Sequence, residues 1–185
     1  MRWKVRKSEE VYKSQVFRLR KDQCELPDGR VMPRYFVMEF PDWVNVVPVT
    51  EEKNVIMVRQ YRHAGDGIYL EIPGGSTHGP SEDPRVAGER ELREETGYQA
   101  QKWIYCGWLS PNPALQNNKI HTFLALGCQR VGEPQLDPYE DLTVEILPLE
   151  KLLQIWRDGG IKHSLIYGAI GLALPHIRTS LHVFL

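Results

Sequence analysis

Three glutamates, Glu91, Glu94 and Glu95, crowd the stretch RELREETGY at residues 90–98. Like charges four apart on a helix cost about 0.2–0.5 kcal/mol. A chain that sets Glu91 and Glu95 one turn apart therefore leaves them in water or places something positive among them. Several carboxylate oxygens within reach of one point suit a hard cation such as Mg²⁺ or Mn²⁺. Upstream, IPGGSTHGPSE at 72–82 supplies glycines that let backbone come close to a neighbour. It is not a P-loop, because no Gly-Lys-Ser/Thr follows. A glycine loop beside an acidic helix reads as half of a phosphate-and-metal site, against the blander reading of a strand-to-helix turn.

The acids need a helix to carry them, and EDPRVAGERELREETG is punctuated as one. Asp83 suits the N-cap and Pro84 the first helical position. Gly97 suits the left-handed residue that ends a helix, so the helix is expected over 84–96. At 100° per residue, Glu89, Arg90, Arg93 and Thr96 fall on one side and Ala87, Gly88 and Leu92 on the other. Glu91 and Glu95 lie between Ala87 and Leu92, on the face that packs, with Glu94 at its margin. Carboxylates on an inner face are expensive unless neutralised or ligated, and Glu91 and Glu95 are placed to clasp one ion jointly. The small Ala87 and Gly88 let the helix approach a sheet.

That sheet is legible on both sides of the helix. Residues 1–45 read as strands around the turn signal PDG at 27–29. VNVVPVT, NVIMVRQYR and IYLEIPGG precede the helix, and WIYCGWLSPNP, KIHTFLALGCQ and DLTVEILPLE follow it. A helix over 150–157 and another from near 162 complete the order. The fold class is α/β or α+β, a mixed sheet with helices on its faces. Two units are expected, a β-rich unit over 1–45 and the main domain over 46–185, with the boundary near Pro41 and Asp42.

The chain has 185 residues, 42% of them hydrophobic and 25% charged, with a net charge of −1. That balance builds a core and gives no electrostatic reason to expect nucleic acid or an anionic membrane as partner. Cys24, Cys106 and Cys128 show no CxxC spacing and read as reduced thiols of a cytoplasmic protein. The N-terminus lacks the apolar stretch of a secretory signal. The longest apolar run, 164–177, is shorter than a bilayer span and reads as a buried helix.

Gly75, Glu82 and RELREETGY together resemble the Nudix box. Arg90, Glu91, Glu94, Glu95 and Gly97 all match, as does the seven-residue spacing from Glu82 to Arg90. Six residues rather than five separate Gly75 from Glu82, which implies a one-residue insertion, and Tyr98 stands where an aliphatic residue is usual. The resemblance implies a Nudix-type α/β/α sandwich. It also implies hydrolysis of a nucleoside diphosphate linked to another moiety, with Mg²⁺ or Mn²⁺ held by Glu91 and Glu95, assisted by Glu94 and a carbonyl at Gly74. Arg90 would orient a glutamate.

Pro113, sixteen residues after Gly97, resembles the marker proline of ADP-ribose pyrophosphatases, and Arg62 in VRQYR the arginine that meets substrate phosphates. That subgroup's β-rich N-terminal unit implies a homodimer, with Arg34 in the RYFVMEF strand reaching substrate. Gly75 and Asn112 are further candidates for substrate contact. SPNPALQNNKIHTFLA reads as a substrate loop or a polar turn, with Asn112, Asn117, Asn118 and His121 offering polar groups. The general base is expected at Glu140, with Asp137 and Asp141 behind it and Pro138 in their midst. Two other functions are open: a nucleotide-sugar sensor without turnover, and a nucleoside-triphosphate hydrolase. Sensors commonly lose box acids, and this chain keeps them all.

Overall fold

The computed structural model describes residues 2–182. Strands β1 (Lys4–Lys13), β2 (Arg18–Glu25) and β3 (Val31–Glu39) form an antiparallel three-stranded sheet. The expected PDG turn joins the last two. Then come β4 (Trp43–Val49), β5 (Asn54–Arg62), β6 (Gly67–Glu71) and β7 (Gly74–Ser76). Helix α1 (Pro84–Thr96) follows, then β8 (Tyr98–Gln99), β9 (Lys102–Leu109), β10 (Ile120–Leu126), β11 (Gln129–Arg130) and β12 (Leu142–Pro148). Helices α2 (Leu149–Arg157) and α3 (Ser164–Leu181) close the order.

The main sheet runs β12-β5-β4-β10-β9, with β6 paired to β5 and β7 to β4. Its centre is mixed: β4 and β10 are parallel and the other pairs antiparallel. Alternation along the central strands feeds two cores. Val44, Val46, Ile56 and Phe123 pack with Ala87 and Leu92 of α1. Val47, Val49, Met57 and Leu124 pack with Leu152 and Leu153 of α2 and Ile166 and Ile170 of α3. Each Val, Leu, Ile, Phe or Met among them, fully buried, contributes roughly 1.5–3 kcal/mol. The result is the expected sandwich, with α1 on one face and α2 and α3 on the other. No helix among the described residues is long and apolar enough to cross a membrane, and the apolar run at 164–177 lies in α3.

Residues 43–45 already belong to β4, since Trp43 pairs with Ile120 of β10. The break between sheets lies at residues 40–42, where Phe40 packs on Phe17 behind it and Trp43 ahead of it. One expectation is corrected: Thr96, placed on the outer side of α1, is 1% exposed. The chain after β11 returns over the last turn of α1, with Val131 N–H on Gly97 O at 2.9 Å and Gln135 N–H on Glu94 O at 2.7 Å, and Thr96 Oγ1 bonds Leu92 O.

Candidate active site

Helix α1 begins and ends where its caps place it. Asp83 accepts from Arg85 N–H at 2.8 Å, and Gly97 takes the left-handed conformation at φ 73°. Ala87 and Gly88 are buried, and a methyl on Gly88 would press on Val44 and Val46. This close approach brings the inner face of α1 against β7. Glu91 is 8% exposed and Glu95 5%, so two carboxylates do lie in the packed face.

Both meet the backbone of β7. Gly74 N–H donates to Glu95 Oε2 at 3.2 Å. A Cβ on Gly75 would stand 2.3 Å from Glu91 Oε1, and one on Gly74 2.2 Å from Val44 O. At Gly74 the obstacle is β4 backbone, so only glycine fits; at Gly75 a side chain would displace the Glu91 carboxylate. Arg90 ties the arrangement together. Its Nη1 donates to Glu91 at 2.8 Å and Glu94 at 3.2 Å, its Nη2 to Ser76 O at 2.9 Å, and its Nε lies 3.6 Å from Glu82. Glu82 also accepts from His78 N–H, so the loop with the extra residue still delivers it to Arg90.

Arg62 is gripped by Glu71, with Nε and Nη2 donating to its two carboxylate oxygens at 2.9 and 2.6 Å. Glu140 stands on the 137–141 turn, where its carboxylate accepts from Asp137 N–H at 3.0 Å. Its charge acts on Arg62, Glu91 and Glu95 together. The structure thus brings Glu91, Glu95, Arg62, Gly74, Gly75 and Glu140 into one neighbourhood, with Glu94 at its more open margin.

Burial, then the adjacent Glu91 charge, holds the Glu95 carboxyl well above the ordinary carboxylate range; Gly74 N–H and Arg62 pull the other way. Burial likewise raises Glu91, against the pull of Arg90. Glu82 is lowered, chiefly by the His78 N–H. Among the described residues no three His, Cys, Asp or Glu side chains form a ready metal cage; Arg90 and the Gly74 N–H hold oxygens of Glu91 and Glu95. The donor set nonetheless fits a hard divalent cation: buried, mutually repelling carboxylates against backbone that leaves no room for a side chain.

A prediction follows from the raised Glu95 carboxyl. Its native state binds a proton more tightly than the unfolded chain, so stability of the metal-free protein is lost as pH rises from the ordinary carboxylate range through the raised value. In chelator, Glu95→Gln should become progressively more stable than the wild type as pH rises, by urea midpoint. A difference that stays constant with pH would contradict it.

Other expected site residues stand elsewhere in the chain. Asn112 and Pro113 are exposed on a turn, where Asn112 O accepts from Leu115 and Gln116 N–H at 3.0 and 2.7 Å. That turn anchors the N-terminal sheet through Met38 N–H to Leu115 O at 2.7 Å. Arg34 lies in β3, bordering a separate hollow with Lys7, Glu9 and Lys21. His121 is held between Asp42 and the Tyr105 hydroxyl, at 3.3 and 3.0 Å, a structural bridge.

Beside β7 opens a cleft of about 590 Å³, bounded by Arg62, Glu71, Gly75, Asn45, Tyr69 and His163 among others. Sequence reasoning missed Glu71, Asn45 and His163. Glu71 and Asn45 had a signal: each is a lone polar residue inside an apolar strand, and each is at most 5% exposed.

Residues 40–166 match the NUDIX domain, and residues 3–37 match the nucleoside diphosphate sugar hydrolase N-terminal domain. The chain is 33% identical to a methanol dehydrogenase activator of Bacillus methanolicus, over 87% of its own length and 86% of the relative's. It is 31% identical to an ADP-ribose pyrophosphatase of Mycobacterium tuberculosis, over 93% and 83%. A crystal structure of an ADP compounds hydrolase superposes with TM-score 0.84 at 22% identity, covering 99% of this chain and 98% of that one, a likeness of fold. The chain belongs to the Nudix family and is a pyrophosphohydrolase of the ADP-ribose pyrophosphatase-like kind.

Proposed function

We propose that the protein hydrolyses the pyrophosphate bond of a nucleoside diphosphate linked to a sugar, ADP-ribose or a close relative, with a divalent cation. The products are a nucleoside monophosphate and a sugar phosphate. The observation that carries this reading is the buried pair Glu91 and Glu95 against Gly74 and Gly75, with Arg62 and Glu140 alongside. Relatives in Mycobacterium tuberculosis and Bacillus subtilis that bear the name ADP-ribose pyrophosphatase support the choice of substrate.

Glu91 and Glu95 hold the cation, with Glu94 and the Gly74 carbonyl as further oxygens. Bound there, Mg²⁺ or Mn²⁺ supplies charge neutralisation for the diphosphate and acidifies water. Arg90 fixes the directions of Glu91 and Glu94 by charge-assisted hydrogen bonds. Glu71 occupies two of the N–H groups of Arg62 and leaves the rest for phosphate oxygens. Glu140 takes the proton as water oxygen bonds to one phosphorus and the bridging P–O bond breaks. A panel of nucleotide sugars, dinucleotides and nucleoside triphosphates with Mg²⁺ tests the reading. Turnover greatest on nucleotide sugars supports it. Binding without turnover favours a sensor, and preference for triphosphates favours a triphosphate hydrolase.

The N-terminal sheet carries exposed Trp3, Val5, Val11, Tyr12 and Phe36, which supports a homodimer in which Arg34 reaches the partner's site. Sedimentation at micromolar concentration should give a dimer; an active monomer would contradict it. The free state of Cys24, Cys106 and Cys128 supports a reducing, cytoplasmic setting. Net charge supports neither nucleic acid nor a membrane surface as partner.

A further inference from the structure

Glu71 ends β6 between Leu70 and Ile72, with its side chain only 3% exposed. A carboxylate taken so far from water is costly unless it is paired. Its partner reaches it from a distance. In the β5–β6 ladder Glu71 stands opposite Val58, four residues before Arg62, so the Arg62 side chain runs back along the sheet to meet it. A long side chain at the end of a strand otherwise keeps many rotamers. Here the two bonds from Nε and Nη2, at 2.9 and 2.6 Å, fix one edge of the guanidinium.

We propose that Glu71 is a positioning residue for the reaction: by holding one edge of Arg62 it aims another edge at the substrate diphosphate and keeps the guanidinium off the carboxylates that take the cation. The inference rests on the hydrolase reading above. Three observations support it. First, of the five N–H groups of an arginine, Glu71 takes one on Nε and one on Nη2. The edge between Nη1 and Nη2 keeps an N–H on each nitrogen, a planar fork that matches two phosphate oxygens. Second, the Arg62 side chain is 44% exposed although the carboxylate it grips is buried, and it lines the cleft with Gly74 and Gly75. The edge against Glu71 is therefore the covered one. Third, the Glu95 and Glu140 charges also attract Arg62. A guanidinium released by Glu71 has these two carboxylates to turn to, and would then block the cation's oxygens instead of meeting phosphate.

The experiment separates aim from charge. If Arg62 served as a point charge, removal of its counter-charge would strengthen its hold on phosphate, and KM for ADP-ribose would fall. An aimed fork loses its direction instead. Glu71→Gln should therefore lower kcat/KM for ADP-ribose in saturating Mg²⁺ about 10- to 100-fold, the scale of one hydrogen bond to a charged group. Glu71→Asp keeps the charge but draws it back by one methylene. It should lose activity, though less than Glu71→Gln, and it decides the question if the Gln variant does not fold. Once Arg62→Ala has removed the fork, adding Glu71→Gln should cost no further activity, and this double variant strands no buried charge. An unchanged or higher kcat/KM in Glu71→Gln, full activity in Glu71→Asp, or an equal loss with and without Arg62 overturns this inference alone. A wild-type protein inert toward ADP-ribose and other nucleotide sugars overturns the hydrolase reading and this inference with it.

Discussion

Glu91→Gln and Glu95→Gln are each expected to lower kcat about 100- to 1,000-fold at saturating Mg²⁺, the usual cost of removing one major electrostatic stabiliser of a transition state. The same changes should stabilise the metal-free protein. Glu91 and Glu95 are buried, one turn apart, and the Glu91 charge raises the cost of a charge on Glu95. Removing one relieves about 0.2–0.5 kcal/mol of repulsion for a helical pair, and the loss of a buried charge adds to this. Activity and metal-free stability therefore move in opposite directions. Glu89→Gln is the control. The Glu89 side chain is 43% exposed and, among the described residues, pairs only with Arg85, at 3.0 Å, a surface contact worth roughly 0–1 kcal/mol. Melting temperature in chelator and kcat in Mg²⁺, measured for all three variants, decide the matter. Glu89→Gln as damaging as Glu91→Gln would show that the acids are only a charged surface.

Two neighbouring glycines should fail in different ways. In Gly74→Ala the new methyl would stand 2.2 Å from Val44 O and 3.2 Å from Asn45 Cα. Both are backbone atoms of β4, so relief requires β7 to leave the sheet. Overpacking of this sort costs about 1–3 kcal/mol, and the melting temperature should fall. In Gly75→Ala the methyl would meet only the end of the Glu91 side chain, whose Oε1 lies 2.3 Å away. That carboxylate can swing aside. The fold should survive while kcat falls about 100-fold, the scale of loss for a reacting group misplaced by ~1 Å. Equal melting-temperature losses in the two variants, or a fully active Gly75→Ala, would contradict this account of β7.

How much of this was legible depends on the range of the forces involved. The caps of α1, its inward Glu91 and Glu95, and strand β5 follow from signals within a few residues: Asp83-Pro84, Gly97, and an unbroken apolar run. The structure places them at the expected positions. Contacts distant in the chain were silent. Thr96 is buried by backbone arriving from residues 131–135. Asn45 meets Leu165 O at 3.3 Å, 120 residues away, and that junction helps to shape the cleft where His163 sits. The strand boundary at Trp43 was misplaced because VNVVPV announces its apolar core more clearly than its aromatic start. Asn112 and Pro113 lay in a stretch whose polarity suits a turn and a binding loop equally, and its tie to Met38 of another sheet had no signal in the sequence.

The most direct test of the central claim is product analysis on ADP-ribose. Protein stripped with chelator is incubated with ADP-ribose, then with added Mg²⁺ or Mn²⁺, and AMP and ribose 5-phosphate are quantified by anion-exchange chromatography. The account predicts no products in chelator and equal amounts of AMP and ribose 5-phosphate once the cation returns. Full turnover in excess chelator would contradict it, as would intact ADP-ribose in saturating cation.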